Sequence, residues 1–149
     1  MKVRVQIPIE GSKEDIWKVI TDIENATSRI SGIEKVEIHH QPDEGVEGLK
    51  WTETRTLFGK TATETMWITE AEENHYYKTR AESHGAIYLS TMEISEEKGQ
   101  RFLSMELASQ AQSFGAKVMS VLLAPLFKNA TKKALLKDLE DIKAAVEQA

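Results

Sequence analysis

Apolar and polar side chains alternate from the second residue onward. Val3, Val5, Ile7 and Ile9 point one way, and Lys2, Arg4 and Gln6 point the other. A strict period of two predicts a strand over Lys2 to Ile9, with one buried and one wet face. Glu10-Gly11 ends it. Ser12 stands three residues before Asp15, a spacing like that of a capping box with Asp in place of Glu. Ile16, Trp17, Val19, Ile20 and Ile23 then recur at helical spacing, and Asn25 to Gly32 reads as a short helical or irregular segment closed by Gly32. Ile33 to His40 predicts a second strand, followed by the turn cluster from Gln41 to Gly45.

Leu49 to Phe58 and Thr61 to Glu70 flank the dipeptide Gly59-Lys60. Gly at the first of two central positions predicts a type II′ hairpin. In that register Phe58 faces Thr61, Leu57 faces Ala62, Arg55 faces Glu64, Glu53 faces Met66 and Trp51 faces Ile68. One face then carries Trp51, Glu53, Arg55, Leu57, Ala62, Glu64, Met66 and Ile68. The other carries Lys50, Thr52, Thr54, Thr56, Thr61, Thr63, Thr65 and Thr69, with Trp67 as its exposed exception. A threonine-covered face suits water, so the first set is the inner face although it holds three charges.

Three more strands are predicted at Tyr76 to Ser83, Ile87 to Ile94 and Arg101 to Ser109. Alternation turns Tyr77, Thr79, Ala81 and Ser83, then Tyr88, Ser90, Met92 and Ile94, then Leu103, Met105 and Leu107 to one face each. The period changes after Gly115. Val118, Met119, Leu122, Leu126, Leu135, Leu139, Ile142 and Val146 follow a helical spacing to the end of the chain. Pro125 lies inside that pattern and is expected to kink or briefly interrupt the helix.

These elements imply one domain over residues 1–149, in which a seven-stranded antiparallel sheet built from consecutive hairpins lies under a long C-terminal helix. A chain of this length buries roughly 68–70% of its unfolded surface, so no staple is needed. The absence of Cys removes thiolate metal sites, cysteine nucleophiles and redox pairs, and fits a reducing compartment. A formal net charge of −5 argues against nucleic-acid binding. The apolar run from Val121 to Phe127 is far short of the ~20 residues that span a bilayer. The alternating N-terminus is unlike a signal peptide. The expectation is a cytoplasmic protein without stable membrane insertion.

The chain resembles the helix-grip, or birch-pollen-allergen-like, superfamily of START domains and polyketide cyclase/dehydrase-like proteins (SRPBCC). The resemblance covers nearly the whole chain. It rests on "VRVQIPIEGSKEDIWKVITDIENATSRISGIEKVEI", on "GLKWTETRTLFGKTATETMWITEAE" and on "MSVLLAPLFKNATKKALLKDLEDIKAAVEQA". It implies an α+β fold with a curved seven-stranded sheet wrapped around the C-terminal helix and two short helices between strands 1 and 2. It further implies a small hydrophobic or amphipathic ligand between sheet and helix, while leaving carrier, cyclase/dehydratase and co-chaperone-like interaction module open.

Within that frame the candidate ligand-binding residues are Trp51, Glu53, Arg55, Glu64, Met66, Tyr77, Tyr88, Met105, Met119 and Leu122. Arg55 reads either as an anchor for a ligand carboxylate, phosphate or enolate, held by Glu53 or Glu64, or as a self-satisfied ion pair. Tyr77 and Tyr88 offer hydroxyls on apolar bodies, for ligand orientation or plain core packing. Met66, Met92, Met105 and Met119 suit an adaptable apolar wall. His40 is expected on an inner face beside Val36 and Ile38, and His39 on the opposite one, so the two cannot readily share a metal. Phe58, Gly59, His84 and Gly85 are candidate mouth residues. No hydrolase, nucleotide-binding or dinucleotide motif is present, and no cofactor or metal is expected.

Overall fold

Segments with a period of two form strands, and segments with helical spacing form helices. The computed structural model describes residues 1–57, 59–83, 85–111 and 114–148, without the side chains at 57, 60 and 111–127. The elements are β1 (Lys2–Pro8), α1 (Lys13–Thr21), a 3₁₀ segment (Ile23–Ser28), β2 (Ile33–His40), β3 (Lys50–Leu57), β4 (Lys60–Glu72), β5 (Tyr76–Ser83), β6 (Ala86–Glu97), β7 (Gln100–Ala111) and α2 (Phe114–Glu147). They build the α+β helix-grip fold. One antiparallel sheet runs in the order β1-β7-β6-β5-β4-β3-β2. Only β2 to β7 follow one another as neighbours. β1 pairs with β7 instead, with Lys2 opposite Ala108 and Pro8 opposite Phe102. The two edges of the sheet are therefore β1 and β2, and α1 with the 3₁₀ segment carries the chain from one to the other.

Local chemistry fixes the helix starts and stops. The Ser12 hydroxyl accepts from the Asp15 amide at 3.0 Å, which caps α1 as its spacing predicts. Gly11 has φ +128, and a Cβ there would lie 2.9 Å from Val146 Cγ1, so the chain can turn against α2 only without a side chain. The helix α2 continues through Pro125 over 34 residues, so of the kink or interruption expected there the interruption does not occur. Proline removes one hydrogen bond, and the turns on either side carry the helix across it. Ile16 and Ile20 of α1 join Ile68, Ile94 and Leu103 of the sheet and Leu139, Ile142 and Val146 of α2 in one core.

Two sequence-based placements change. In the β3–β4 hairpin Leu57 pairs with Lys60, Arg55 with Ala62, Glu53 with Glu64 and Trp51 with Met66. The register is thus two residues away from the expected one. Gly59, at φ +76, is the second connecting residue and not the first. Glycine supplies positive φ at that second position as well as at the first. A slip of two keeps every side chain on its face, so the sorting into inner and threonine faces stands while the pairings change. His40 is the second correction. Register shifts interrupt β2 between Ile33 and Lys35 and again between Ile38 and His40. The second turns His40 to the outer face, opposite Lys50 and exposed. The outer face is otherwise as expected, with the Thr52 and Thr65 hydroxyls 2.6 Å apart. Trp67, expected to be exposed, is instead half-buried there under the Lys50 ammonium, 5.8 Å from its ring centre.

Candidate ligand cavity

The inner face of the sheet does not close completely on the helices. A cavity of about 330 Å³ remains, bordered by Trp51, Met66, Met92, Met105 and Leu107 of the sheet, Val19 and Ile20 of α1, and Leu135 and Ile142 of α2. Trp51, Glu53, Arg55, Glu64, Met66, Tyr77, Tyr88 and Met105 all border it, so the alternation pattern brings eight of the sequence-based candidates together. Met119 and Leu122 lie outside the described side chains, as do Phe58 and His84 among the candidate mouth residues.

Of the two carboxylates that the sequence offers as holders of Arg55, Glu53 takes that place. Arg55 does not pair with Glu64. Its Nε donates to Glu53 Oε2 at 2.6 Å, and its Nη2 and Nη1 donate to the two oxygens of Asp138 at 2.7 and 3.2 Å. Glu53 also accepts from Trp51 Nε1 at 3.1 Å. The register explains the change: Ala62 stands opposite Arg55, which leaves the guanidinium free to reach across to α2. The self-satisfied reading of Arg55 thus describes its geometry, with Asp138 as the partner that the sequence reading missed. A signal was there. Asp138 falls between Leu135 and Ile142 on the apolar stripe of α2, and a lone carboxylate in such a stripe needs a cationic partner.

Burial works against charge on both members of the pair. For Arg55 the hydrogen bonds and charge of Asp138, then those of Glu53, outweigh it, and the guanidinium is held above its usual pKa. For Asp138 burial is the larger effect, and the carboxyl sits above the ordinary aspartate value despite Arg55, with Glu53 adding to the rise. A second guanidinium on the cavity wall, Arg29, is held by Asp22 at 2.8 Å.

The two tyrosines separate. Tyr77 is buried, and its hydroxyl donates to the Ile20 carbonyl of α1 at 3.1 Å. Burial, and then the charges of Glu53 and Asp138, push its pKa up, so it stays a neutral donor. Its ring meets Trp17 edge-on at 6.1 Å. Tyr88 is half-buried, and its hydroxyl has no hydrogen-bond partner among the described residues. Partial burial, followed by the nearby Glu64, raises its pKa as well. Thr79 and Ser90 share a hydroxyl hydrogen bond on the same wall. Among the described residues no helix is long and apolar enough to cross a membrane.

Sequence and structure comparisons agree with this architecture. The family described as "Polyketide cyclase / dehydrase and lipid transport" matches residues 1–147. No curated protein matches the chain by sequence. Among solved structures, TTHA0849 from Thermus thermophilus is similar at TM-score 0.81 and 15% identity, over 99% of this chain and 98% of that one. A START superfamily protein from Mycobacterium smegmatis is similar at TM-score 0.80 and 15% identity, over 99% and 97%. The Zhui aromatase/cyclase from a Streptomyces species is similar at TM-score 0.75 and 13% identity, over 99% and 94%. At such identities the likeness is one of fold.

Proposed function

The chain belongs to the polyketide cyclase/dehydrase and lipid transport family, and on that premise we propose that it binds a small hydrophobic or amphipathic molecule between the sheet and α2. The observation that carries this reading is the cavity: about 330 Å³ left open, and walled mainly by apolar and aromatic side chains. That volume is at the lower end of the range typical of small-molecule sites. Its methionines adapt to irregular apolar shapes. Contact with them supplies affinity at about 25 cal/mol per Å² before the costs of association.

Mass spectrometry of the purified protein, native and then after organic extraction, tests the reading. A stoichiometric apolar molecule that copurifies supports it. Trp51 borders the cavity, so titration with a medium-chain alcohol should also change tryptophan emission. An empty protein that shows no such change would remove the reading.

A second reading, a cyclase- or dehydratase-like enzyme, draws support from one pair of groups. The Tyr88 phenol and the Glu64 carboxylate border the same cavity, and neither has a hydrogen-bond partner among the described residues. A phenol and a carboxylate in reach of one substrate can move protons on it. Turnover of a polyketide-like substrate that survives in both Glu64→Gln and Tyr88→Phe would exclude these groups as its acid and base.

A further inference from the structure

The distribution of charge on the cavity wall bears on what kind of polar head a ligand can carry. Two guanidiniums border the cavity, and each is paired with a carboxylate of the chain. Arg29 holds Asp22 at 2.8 Å. Arg55 presents its Nη1–Nη2 edge, the edge that would grip a ligand carboxylate in bidentate fashion, to Asp138 in that geometry. An anionic head competing for Arg55 would have to displace Asp138 and strand its carboxylate in the wall, which is strongly unfavourable. Glu106, which also borders the cavity, pairs with Lys2 at 3.3 Å.

Glu64 is different. It stands directly opposite Glu53 on the neighbouring strand, half-buried, and has neither an ion-pair nor a hydrogen-bond partner among the described residues. Glu53 is already tied to Arg55 and Trp51. One guanidinium thus serves both Glu53 and Asp138, so with Glu64 the wall here holds three carboxylates to one cation among the described residues, and a cation beside Glu64 relieves the excess. Tyr88 borders the same space, and a phenol offers a cation both its oxygen and its ring face.

We propose that the cavity selects amphiphiles with a cationic head, an ammonium foremost, which Glu64 receives beside Tyr88, and that it discriminates against chain-matched carboxylates. The proposal rests on the cavity reading above and assigns the charge of its ligand. Of the two roles that the sequence offers Arg55, it sets aside the ligand anchor, since the arginine serves the wall and the carboxylate opposite Glu53 meets the head group.

Dodecylammonium, dodecanoate and dodecanol share a chain and differ in the head. Their binding to the full-length protein at neutral pH, followed by calorimetry or tryptophan emission, separates the alternatives. The expected result is an ammonium affinity roughly tenfold or more above that of the carboxylate, as a charge-assisted hydrogen bond provides. Glu64→Gln should collapse that ratio and leave the alcohol unchanged. Glu97→Gln, which removes the same charge from the exposed end of β6, should not alter it. A carboxylate that binds as well as the ammonium, or a ratio that Glu64→Gln and Glu97→Gln change alike, overturns the proposal while alcohol binding keeps the cavity reading. Failure of all three probes overturns both.

Discussion

Replacing Arg55 by Met asks whether the arginine is held by its own fold. Methionine keeps much of the volume and removes three hydrogen bonds, at 2.6 Å to Glu53 and at 2.7 and 3.2 Å to Asp138. What remains are two carboxylates whose side chains are only 10% and 6% exposed. Breaking a buried pair from one side costs roughly 3–5 kcal/mol, because the stranded charge cannot return to water. For a chain of this length that is a drop in Tm of roughly 6–20 °C. The loss also depends on pH in a definite direction. Burial already holds the Asp138 carboxyl above its ordinary value, and in the variant Arg55 no longer opposes it. The folded variant then binds more protons than the unfolded chain between the ordinary carboxylate range and the raised value. Its deficit relative to wild type is therefore full at neutral pH and shrinks as pH falls toward ~4. Adding Asp138→Asn removes one stranded charge and should restore part of the loss at neutral pH. Urea denaturation followed by tryptophan emission at several pH values measures all of this. A loss below about 1 kcal/mol at neutral pH, the size of an exposed pair, or a deficit that does not change with pH, would refute the reasoning.

Tyr77→Phe removes a buried donor from the Ile20 carbonyl and should cost about 1–2 kcal/mol in urea denaturation while leaving probe affinity unchanged; a large affinity loss would mean that the hydroxyl serves the ligand after all. Gly11→Ala combines φ +128 with a Cβ 2.9 Å from Val146 Cγ1 and should destabilise by about 1–3 kcal/mol, visible as a lower Tm; a neutral result would show that α2 shifts freely there. Burial pushes the Asp141 carboxyl up, but Lys137 at 2.6 Å and the amide and hydroxyl of Ser31, both at 2.9 Å, outweigh it and hold it below the ordinary value. A lowered folded pKa gives stability that is present above the unfolded value and lost as pH falls through the folded one. Asp141→Asn should therefore flatten the acid limb of the stability curve, and an unchanged limb would exclude this carboxylate as its source.

The strands and their faces were legible because a period of two survives local detail. Even the misplaced β3–β4 turn left Trp51, Glu53, Arg55, Glu64 and Met66 on the inner face, since the register slipped by two. His40 shows where that robustness ends. A single bulge changes parity, and nothing in Glu37-Ile38-His39-His40 announces one. Pairings across the fold were less legible than faces. Alternation could place Arg55 inward, but its partner came from a helix 83 residues further on. Asp138 was readable only as an anomaly, a carboxylate within the apolar stripe from Leu135 to Val146.

A polar group on the inner face of such a sheet has a structural role when a helix brings it a partner. Tyr77 and Arg55 are both in that position, one bonded to Ile20 of α1 and the other to Asp138 of α2. Tyr88 and Glu64 have the same inward parity and border the same cavity, yet no described helix residue bonds to them. Side-chain type does not separate the two sets, because each has a tyrosine and a charge. The separation comes from packing the helices on the sheet, which adds contacts that no strand period encodes. A substitution in the first set should therefore be read in stability, and one in the second set in ligand affinity. A substitution at Glu64 or Tyr88 that lowers Tm as much as Tyr77→Phe, with no change in probe binding, would show that these residues too are partnered within the fold.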